Sequence, residues 1–265
     1  MKLRFCGPRV LLLGGSCDLA LCLAPLCIDE GLYPILTYRS EEGKHRISDT
    51  SGRIGLPVEK YGVEFLDFAE RGSIDSLFTR IGHDVDLLVD FAQGDVEALV
   101  ASVNPDLLYG YFSENIAARA EFARAAAQAM LRKKRGRIVF ISSGAAARSS
   151  PGLGFYAAAK LASEAIYRNL GTELGSRGIT TVTLRPWYIV AGRGARFLRS
   201  DSRKNLAERA ISPEQAAEAI LFFLSENSRV FNAVEIMMDG GLAAVRRENE
   251  TGSPQRSRDR RGRAE

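Results

Sequence analysis

Val10-Leu11-Leu12-Leu13-Gly14-Gly15-Ser16-Cys17-Asp18-Leu19-Ala20 passes from an apolar run through two glycines into a helical pattern. A short, uninterrupted apolar run closed by glycine reads as a strand buried on both faces, and the residues beyond it as the helix that crosses back over a sheet. A turn of this kind can hold an anion. Glycine lets the backbone approach a pyrophosphate, and the first N–H groups of the helix point at it unpaired. Gly14, Ser16, Cys17, Asp18 and Leu19 are therefore candidate cofactor contacts. Asp18 and Ala20 stand where a full dinucleotide fingerprint has glycines. Ala20 is small enough for close helix packing, whereas Asp18 either sets a carboxylate beside the expected phosphate or caps the helix. The alternative reading is a plain strand-to-helix turn.

The same alternation continues outward. Further strands are read at 34–38, 63–66, 87–91, 137–141, 180–184 and 234–238, with helices near 18–30, 41–48, 73–82, 113–133, 154–176 and 212–225. Ser212-Pro213-Glu214-Gln215 is a capping box with proline in the first helical position, which fixes the start of the last helix. Strands joined by helical crossovers imply a parallel sheet covered on both faces, with ligands at the carboxyl ends of its strands.

At 265 residues and 46% hydrophobic content the chain can bury a large core, and no linker-like stretch interrupts residues 8–241. One domain over 1–245 is expected. The formal charge is +4, and residues 246–265 hold seven arginines against four acids, so most of the excess lies in the tail. A segment so poor in apolar residues is read as a disordered, solubilising end rather than a nucleic-acid binder. Cys6, Cys17, Cys22 and Cys27 lack CxxC spacing. A disulfide framework is not expected, and a reducing cytoplasm fits. The apolar start resembles a signal peptide, but the glycines and Asp18 interrupt it, and a strand-turn-helix explains the pattern better. No run approaches the roughly 20 apolar residues of a membrane span. His45 and His83 are isolated, so no metal site is expected.

Tyr156 and Lys160 lie four apart in Gly-Phe-Tyr-Ala-Ala-Ala-Lys, thirteen residues past Ser143 at the end of an apolar run. Positions i and i+4 share a helix face, so an ammonium can stand beneath the phenol. That charge lowers a pKa of about 10 in a free tyrosine and makes the hydroxyl a usable general acid or base. An isolated YxxxK match carries little, since such pairs often decorate a solvated face. At the end of the second strand, Leu36-Thr37-Tyr38-Arg39-Ser40 offers an arginine where an acidic residue would grip the ribose diol of NAD. A planar guanidinium suits a 2′-phosphate, so NADP(H) is the expected cofactor, with Tyr38, Arg39 and Ser40 at its ribose. Asp67 either accepts from the adenine amino group or caps the next turn.

With the glycine turn, Asn115, Ser143, Tyr156 and Lys160 in this order, residues 8–241 resemble the classical short-chain dehydrogenase/reductases. The resemblance implies an α/β, doubly wound Rossmann fold with a single seven-stranded parallel sheet and helices on both faces. It implies that Tyr156 protonates a carbonyl oxygen, that Ser143 holds that oxygen, that Lys160 also binds the nicotinamide ribose, and that Asn115 anchors a water relaying protons to the lysine. Pro186, Trp187 and Ile189 fall where the family's Pro-Gly segment flanks the nicotinamide, and Phe91 and Ala92 near the adenine ribose. The departures are Asp90-Phe91-Ala92-Gln93 in place of Asn-Asn-Ala-Gly, Trp187 in place of glycine, and Ala191 in place of a threonine.

Within the family the chain is most similar to bacterial β-ketoacyl-ACP reductases, through the segments ending Arg132-Lys133-Lys134-Arg135-Gly136-Arg137 and Ser176-Arg177-Gly178-Ile179-Thr180. This implies a carrier-bound β-ketoacyl thioester as substrate and Lys134 and Arg177 as docking residues for an acidic acyl carrier protein. A basic run there reads equally as a solvated helix end. Arg193, Arg196, Arg199, Arg203 and Lys204 fall where this family has the segment that lids the substrate, which implies charge steering of a phosphopantetheine phosphate or carboxylate; a mobile loop is the alternative reading. The alanines between Ala117 and Ala129 suggest close packing between copies, and a homodimer or homotetramer is expected. A free alcohol or ketone as substrate, and a non-catalytic NADP(H) sensor, are the competing readings.

Overall fold

The computed structural model describes residues 2–198 and 210–241. Its strands are β1 (Arg9–Leu13), β2 (Tyr33–Tyr38), β3 (Gly62–Phe65), β4 (Leu87–Asp90), β5 (Gly136–Ile141), β6 (Ile179–Pro186) and β7 (Val234–Met238). All pair in parallel, in the order β3-β2-β1-β4-β5-β6-β7. The chain order reverses between β1 and β4, and the crevice above Leu13 and Asp90 is where ligands bind in such sheets.

The helices are α1 (Asp18–Asp29), α2 (Glu41–Arg53), α3 (Ser73–Arg80), α4 (Pro105–Phe112), α5 (Arg119–Lys133), α6 (Gly144–Ala147), α7 (Gly154–Leu174), α8 (Gly192–Leu198) and α9 (Pro213–Leu224). Side-chain alternation along the strands sorts the core into two layers. Val10 and Leu12 pack with Leu23 and Cys27 of α1 and Ile220 of α9 on one face. Leu11 and Leu13 pack with Phe78 of α3, Phe122 of α5 and Tyr167 of α7 on the other.

Helix α4 was not among the sequence-expected elements. Asn104 caps it, accepting from the Asp106 N–H at 3.0 Å, and Pro105 opens it. A π-helical segment, Ser113–Ala118, joins α4 to α5. α2 runs to Arg53, past the expected end at 48. The expected capping box of α9 is present, with Ser212 and Gln215 bonding reciprocally. The tail, and Arg199, Arg203 and Lys204, lie outside the described residues, while Arg193 and Arg196 fall on α8.

Candidate active site

The turn after β1 needs its glycines. Gly14 has φ +77°, and a Cβ there would lie 3.0 Å from the Ala92 nitrogen beyond β4. A Cβ on Gly15 would come within 2.6 Å of Leu36 Cβ and 2.7 Å of the Thr37 nitrogen. Beside this turn is a cavity of about 200 Å³ lined by Gly14, Ser16, Cys17, Tyr38, Arg39, Asp67, Phe91 and Ala92 from the expected set, together with Gln93, Asn115 and Arg119. Closely approaching backbone at the amino end of a helix, with an exposed guanidinium at the far rim, fits the phosphates and ribose of a dinucleotide. Arg39 makes no ion pair among the described residues.

Three expected contacts are engaged elsewhere. Asp18 opens α1 and ion-pairs with Arg46 of α2, so its charge is compensated across the turn; Cys17, not Asp18, is the N-cap. Ser40 caps α2, accepting from the Gly43 N–H at 3.2 Å. Leu19 packs against the core. Asp67 lines the cavity and also closes its own turn, accepting from the Ala69 N–H at 3.0 Å. Burial pushes the Cys17 thiol up to about 11.

At the other end of the crevice, Tyr156 and Lys160 rise from α7, 6% and 2% exposed. The Lys160 ammonium donates to the Ile141 carbonyl at 2.7 Å and lies 5.8 Å from the Tyr156 ring centroid and 4.9 Å from that of Phe140. The last residue of β5 thus holds the lysine against the tyrosine one turn before it. Ser143 caps α6, its Oγ accepting from the Ala145 N–H at 3.2 Å, which leaves the hydroxyl hydrogen to donate. Trp187 follows β6 and lies against Gly144, where a Cβ would stand 2.3 Å from the indole. Its main-chain N–H donates to the Met238 carbonyl at 3.1 Å. Pro186 ends β6, and Ile189 bridges to Ile211.

Asn115 sits in the π segment, 4% exposed. Its amide donates to the Tyr111 carbonyl at 2.9 Å, and its Oδ1 accepts from Gly94 N–H at 2.8 Å and Gln93 Nε2 at 3.0 Å. Its main-chain carbonyl accepts from Arg119 Nη1 at 2.9 Å. Tyr111 donates no charge here: burial pushes its phenol up to about 12, against the lowering effect of the Gln93 amide.

One wholly buried and one largely buried ion pair frame the site, and neither was anticipated. Asp90 and Arg119, both wholly buried, meet at 2.9 Å. Glu164 of α7 takes Arg185 of β6 in a fork, at 2.8 and 2.6 Å, and also accepts from Ser142. The hydrogen bonds to Glu164 raise the Arg185 pKa further, so its charge is permanent. Arg119 stands four residues after Asn115, and Asp90 marks a departure from the family pattern. Nothing in the sequence joins them across 29 positions.

A family model described as enoyl-(acyl carrier protein) reductase matches residues 17–243. The chain belongs to the short-chain dehydrogenase/reductase family. It is 27% identical to the 3-oxoacyl-[acyl-carrier-protein] reductase FabG of Salmonella typhimurium over 249 residues, covering 91% of this chain and 99% of that one. A solved structure titled a putative betaketoacyl-ACP reductase superposes with a TM-score of 0.79 at 26% identity, over 92% of this chain and 100% of the other. A gluconate 5-dehydrogenase from Burkholderia cenocepacia, in complex with NADP and tartrate, has the same fold: TM-score 0.80 at 23% identity, with 92% and 98% covered. The family's members are oxidoreductases that bind a nicotinamide dinucleotide, and this chain is one of them by fold and by model.

Lys134 and Arg177 come together at the opposite end of the sheet. Gly136 N–H donates to the Gly178 carbonyl, and a Cβ on Gly178 would lie 2.4 Å from the Lys134 carbonyl oxygen. Both side chains are exposed. The alanines between 117 and 129 divide: Ala123, Ala126, Ala127 and Ala129 of α5 are buried in this chain's own core, and Ala117 of the π segment is exposed. All four cysteines are free. Among the described residues no group of His, Cys, Asp and Glu could hold a metal, and no helix is long and apolar enough to cross a membrane.

Proposed function

We propose that this protein is an NADPH-dependent ketoreductase whose substrate is a β-ketoacyl thioester on an acyl carrier protein, in fatty-acid or polyketide synthesis. The observation that carries the reading is Lys160, pinned by the Ile141 carbonyl at the carboxyl end of β5 against the Tyr156 ring. When bound, the nicotinamide supplies the hydride. Ser143 donates its free hydroxyl hydrogen to the substrate oxygen, a bond that strengthens as negative charge develops there. Tyr156 hands its proton to the same oxygen, and the Lys160 ammonium stabilises the phenolate left behind. Asn115 holds Gly94 and Gln93, and so fixes the backbone beyond β4. Arg39, at the ribose end of the cavity, favours a 2′-phosphate. The four-residue spacing of tyrosine and lysine speaks against enoyl reduction, which in related folds uses a wider spacing.

Lys134 and Arg177 support carrier docking through their shared, exposed position. Six residues of β5 at about 3.3 Å each separate them from the Ser143 end by roughly 20 Å. Leu107 and Tyr109 of α4 and Leu161 of α7, exposed by 58%, 83% and 46%, supply the apolar face for a homodimer or homotetramer. Trp187, pressed on Gly144 next to Ser143, favours a second reading, a compact free ketone or alcohol. Turnover measured with NADPH and NADH on carrier-bound acetoacetyl thioester and on free ketones separates these. Loss of thioester turnover while free ketones react removes the first reading. Cofactor binding without reduction of any substrate, unaltered in Tyr156→Phe, removes both in favour of a sensor.

A further inference from the structure

We propose that Asp90 and Arg119 act as a positioning pair that sets the pH at which Tyr156 transfers its proton, an inference that rests on the reductase reading. Arg119 is wholly buried, and its guanidinium ties together four segments around the site. Nε donates to Asp90 at 2.9 Å, Nη1 to the Asn115 carbonyl at 2.9 Å and to Ser163 Oγ at 3.0 Å, and Nη2 to the Ala92 carbonyl. One group thus joins the end of β4, the loop beyond it, the π segment and α7 three residues past Lys160. A π turn disturbs the regular carbonyl-to-amide ladder. Arg119 gives the Asn115 carbonyl a donor there.

The pair also places charge beside the lysine. The Arg119 guanidinium lies 5.5 Å from the Phe140 ring centroid, and the Lys160 ammonium lies 4.9 Å from the same ring. Asp90 cancels the arginine's field. Its carboxylate accepts from Arg119, from the Tyr167 hydroxyl at 2.8 Å and from the Ala92 N–H at 3.0 Å. Among the described residues, charged and titratable groups on the elements packed around α7 also include Glu114 of the π segment, Asp95 beyond β4, Tyr111 of α4, Arg137 of β5, Arg148 after α6, Arg185 of β6, and Glu164, Tyr167, Arg168 and Glu173 of α7 itself. Glu164 is consumed by Arg185, which leaves Asp90 as the carboxylate that balances Arg119. Apolar residues of similar volume often replace a buried ion pair without loss of stability, so stability alone gives little reason to keep this one.

A unit charge about 10 Å away, at an effective dielectric of about 20, moves a pKa by roughly one unit. Asp90→Asn leaves an arginine that cannot lose its proton, and the lone cation favours phenolate. The alkaline limb of the reduction profile, where Tyr156 loses the proton it must donate, is expected to fall by about one pH unit. In Asp90→Asn/Arg119→Met the limb returns to the wild-type position, because both charges are gone. Tyrosinate absorbance, taken against the same protein carrying Tyr156→Phe, follows the same proton without turnover. Wild-type protein that reduces nothing would refute the reductase reading, while this titration still decides the pair. Should Asp90→Asn not fold, Asp90→Asn/Arg119→Lys against Asp90→Asn/Arg119→Met makes the same comparison of one uncompensated cation with none. Limbs and titrations that coincide in all variants overturn the proposal, as does a loss of activity at unchanged pH dependence.

Discussion

Gly15→Ala puts a single methyl where the structure has no room. The new Cβ would lie 2.6 Å from Leu36 Cβ, 2.7 Å from the Thr37 nitrogen and 2.8 Å from Leu36 Cα. Ordinary carbon contacts fall at about 3.5–4.0 Å, so the turn must move from β2 by about 1 Å. Two of these atoms are backbone and cannot rotate aside. The movement also strains the bond from Gly14 N–H to Thr37 Oγ1, 3.0 Å long and partly buried. Overpacking costs about 1–3 kcal/mol and a weakened buried hydrogen bond about 1 more. At about 2–4 °C per kcal/mol for a domain of this size, the melting temperature drops by roughly 5–15 °C. Gly110→Ala is the counter-test: the position is exposed on α4 with nothing within 4 Å of the added carbon, and alanine there stabilises by about 0.5–1 kcal/mol. Calorimetric melts of both variants check the pair, with NADPH binding to Gly15→Ala expected to weaken. A Gly15→Ala protein that melts with the wild type would refute the steric reasoning.

Glu164→Gln removes the carboxylate from a nearly buried fork and leaves Arg185 uncompensated. Because the arginine keeps 21% exposure, the loss is about 2–3 kcal/mol, read by urea unfolding. Burial pushes the Asp86 carboxyl up, but the Lys133 ammonium, the Arg9 N–H and Arg135 outweigh it and hold the group below its ordinary value. Its contribution is therefore present above the usual carboxylate range and is lost as pH falls through the lowered value. Asp86→Asn should cost about 1–2 kcal/mol at pH 7 and flatten the fall in stability below about pH 4, measured by unfolding across pH. Burial raises all four thiols, Cys6 and Cys17 to about 11, so a disulfide reagent at neutral pH should label the native protein slowly and the unfolded one at four sites. Fast native labelling of more than one thiol would contradict this.

Local pattern carried most of the fold. Each strand announced itself as an apolar run closed by glycine or a polar residue, and the observed bounds lie within a residue or two. α4 escaped because Gly110 and a mixed face blur its period, although Asn104-Pro105 is a cap signal. Tyr156 and Lys160 were legible because helical spacing alone makes them neighbours. The ion pair of Asp18 was not legible, since its partner Arg46 comes from a helix 28 residues away.

The order of residues by itself made the parallel α/β architecture, the glycine turn and the tyrosine–lysine pair legible, because the alternation of short apolar runs with helical patterns, the glycine pair and the four-residue spacing are all patterns among near neighbours in the chain. Only the tertiary structure decided that Asp90 meets Arg119, that Glu164 meets Arg185, that Trp187 covers Gly144, and that Lys134 and Arg177 share the far end of the sheet. Those pairings are made by strands and helices brought together across the sheet, and a buried charge finds its partner by packing geometry that no local spacing encodes.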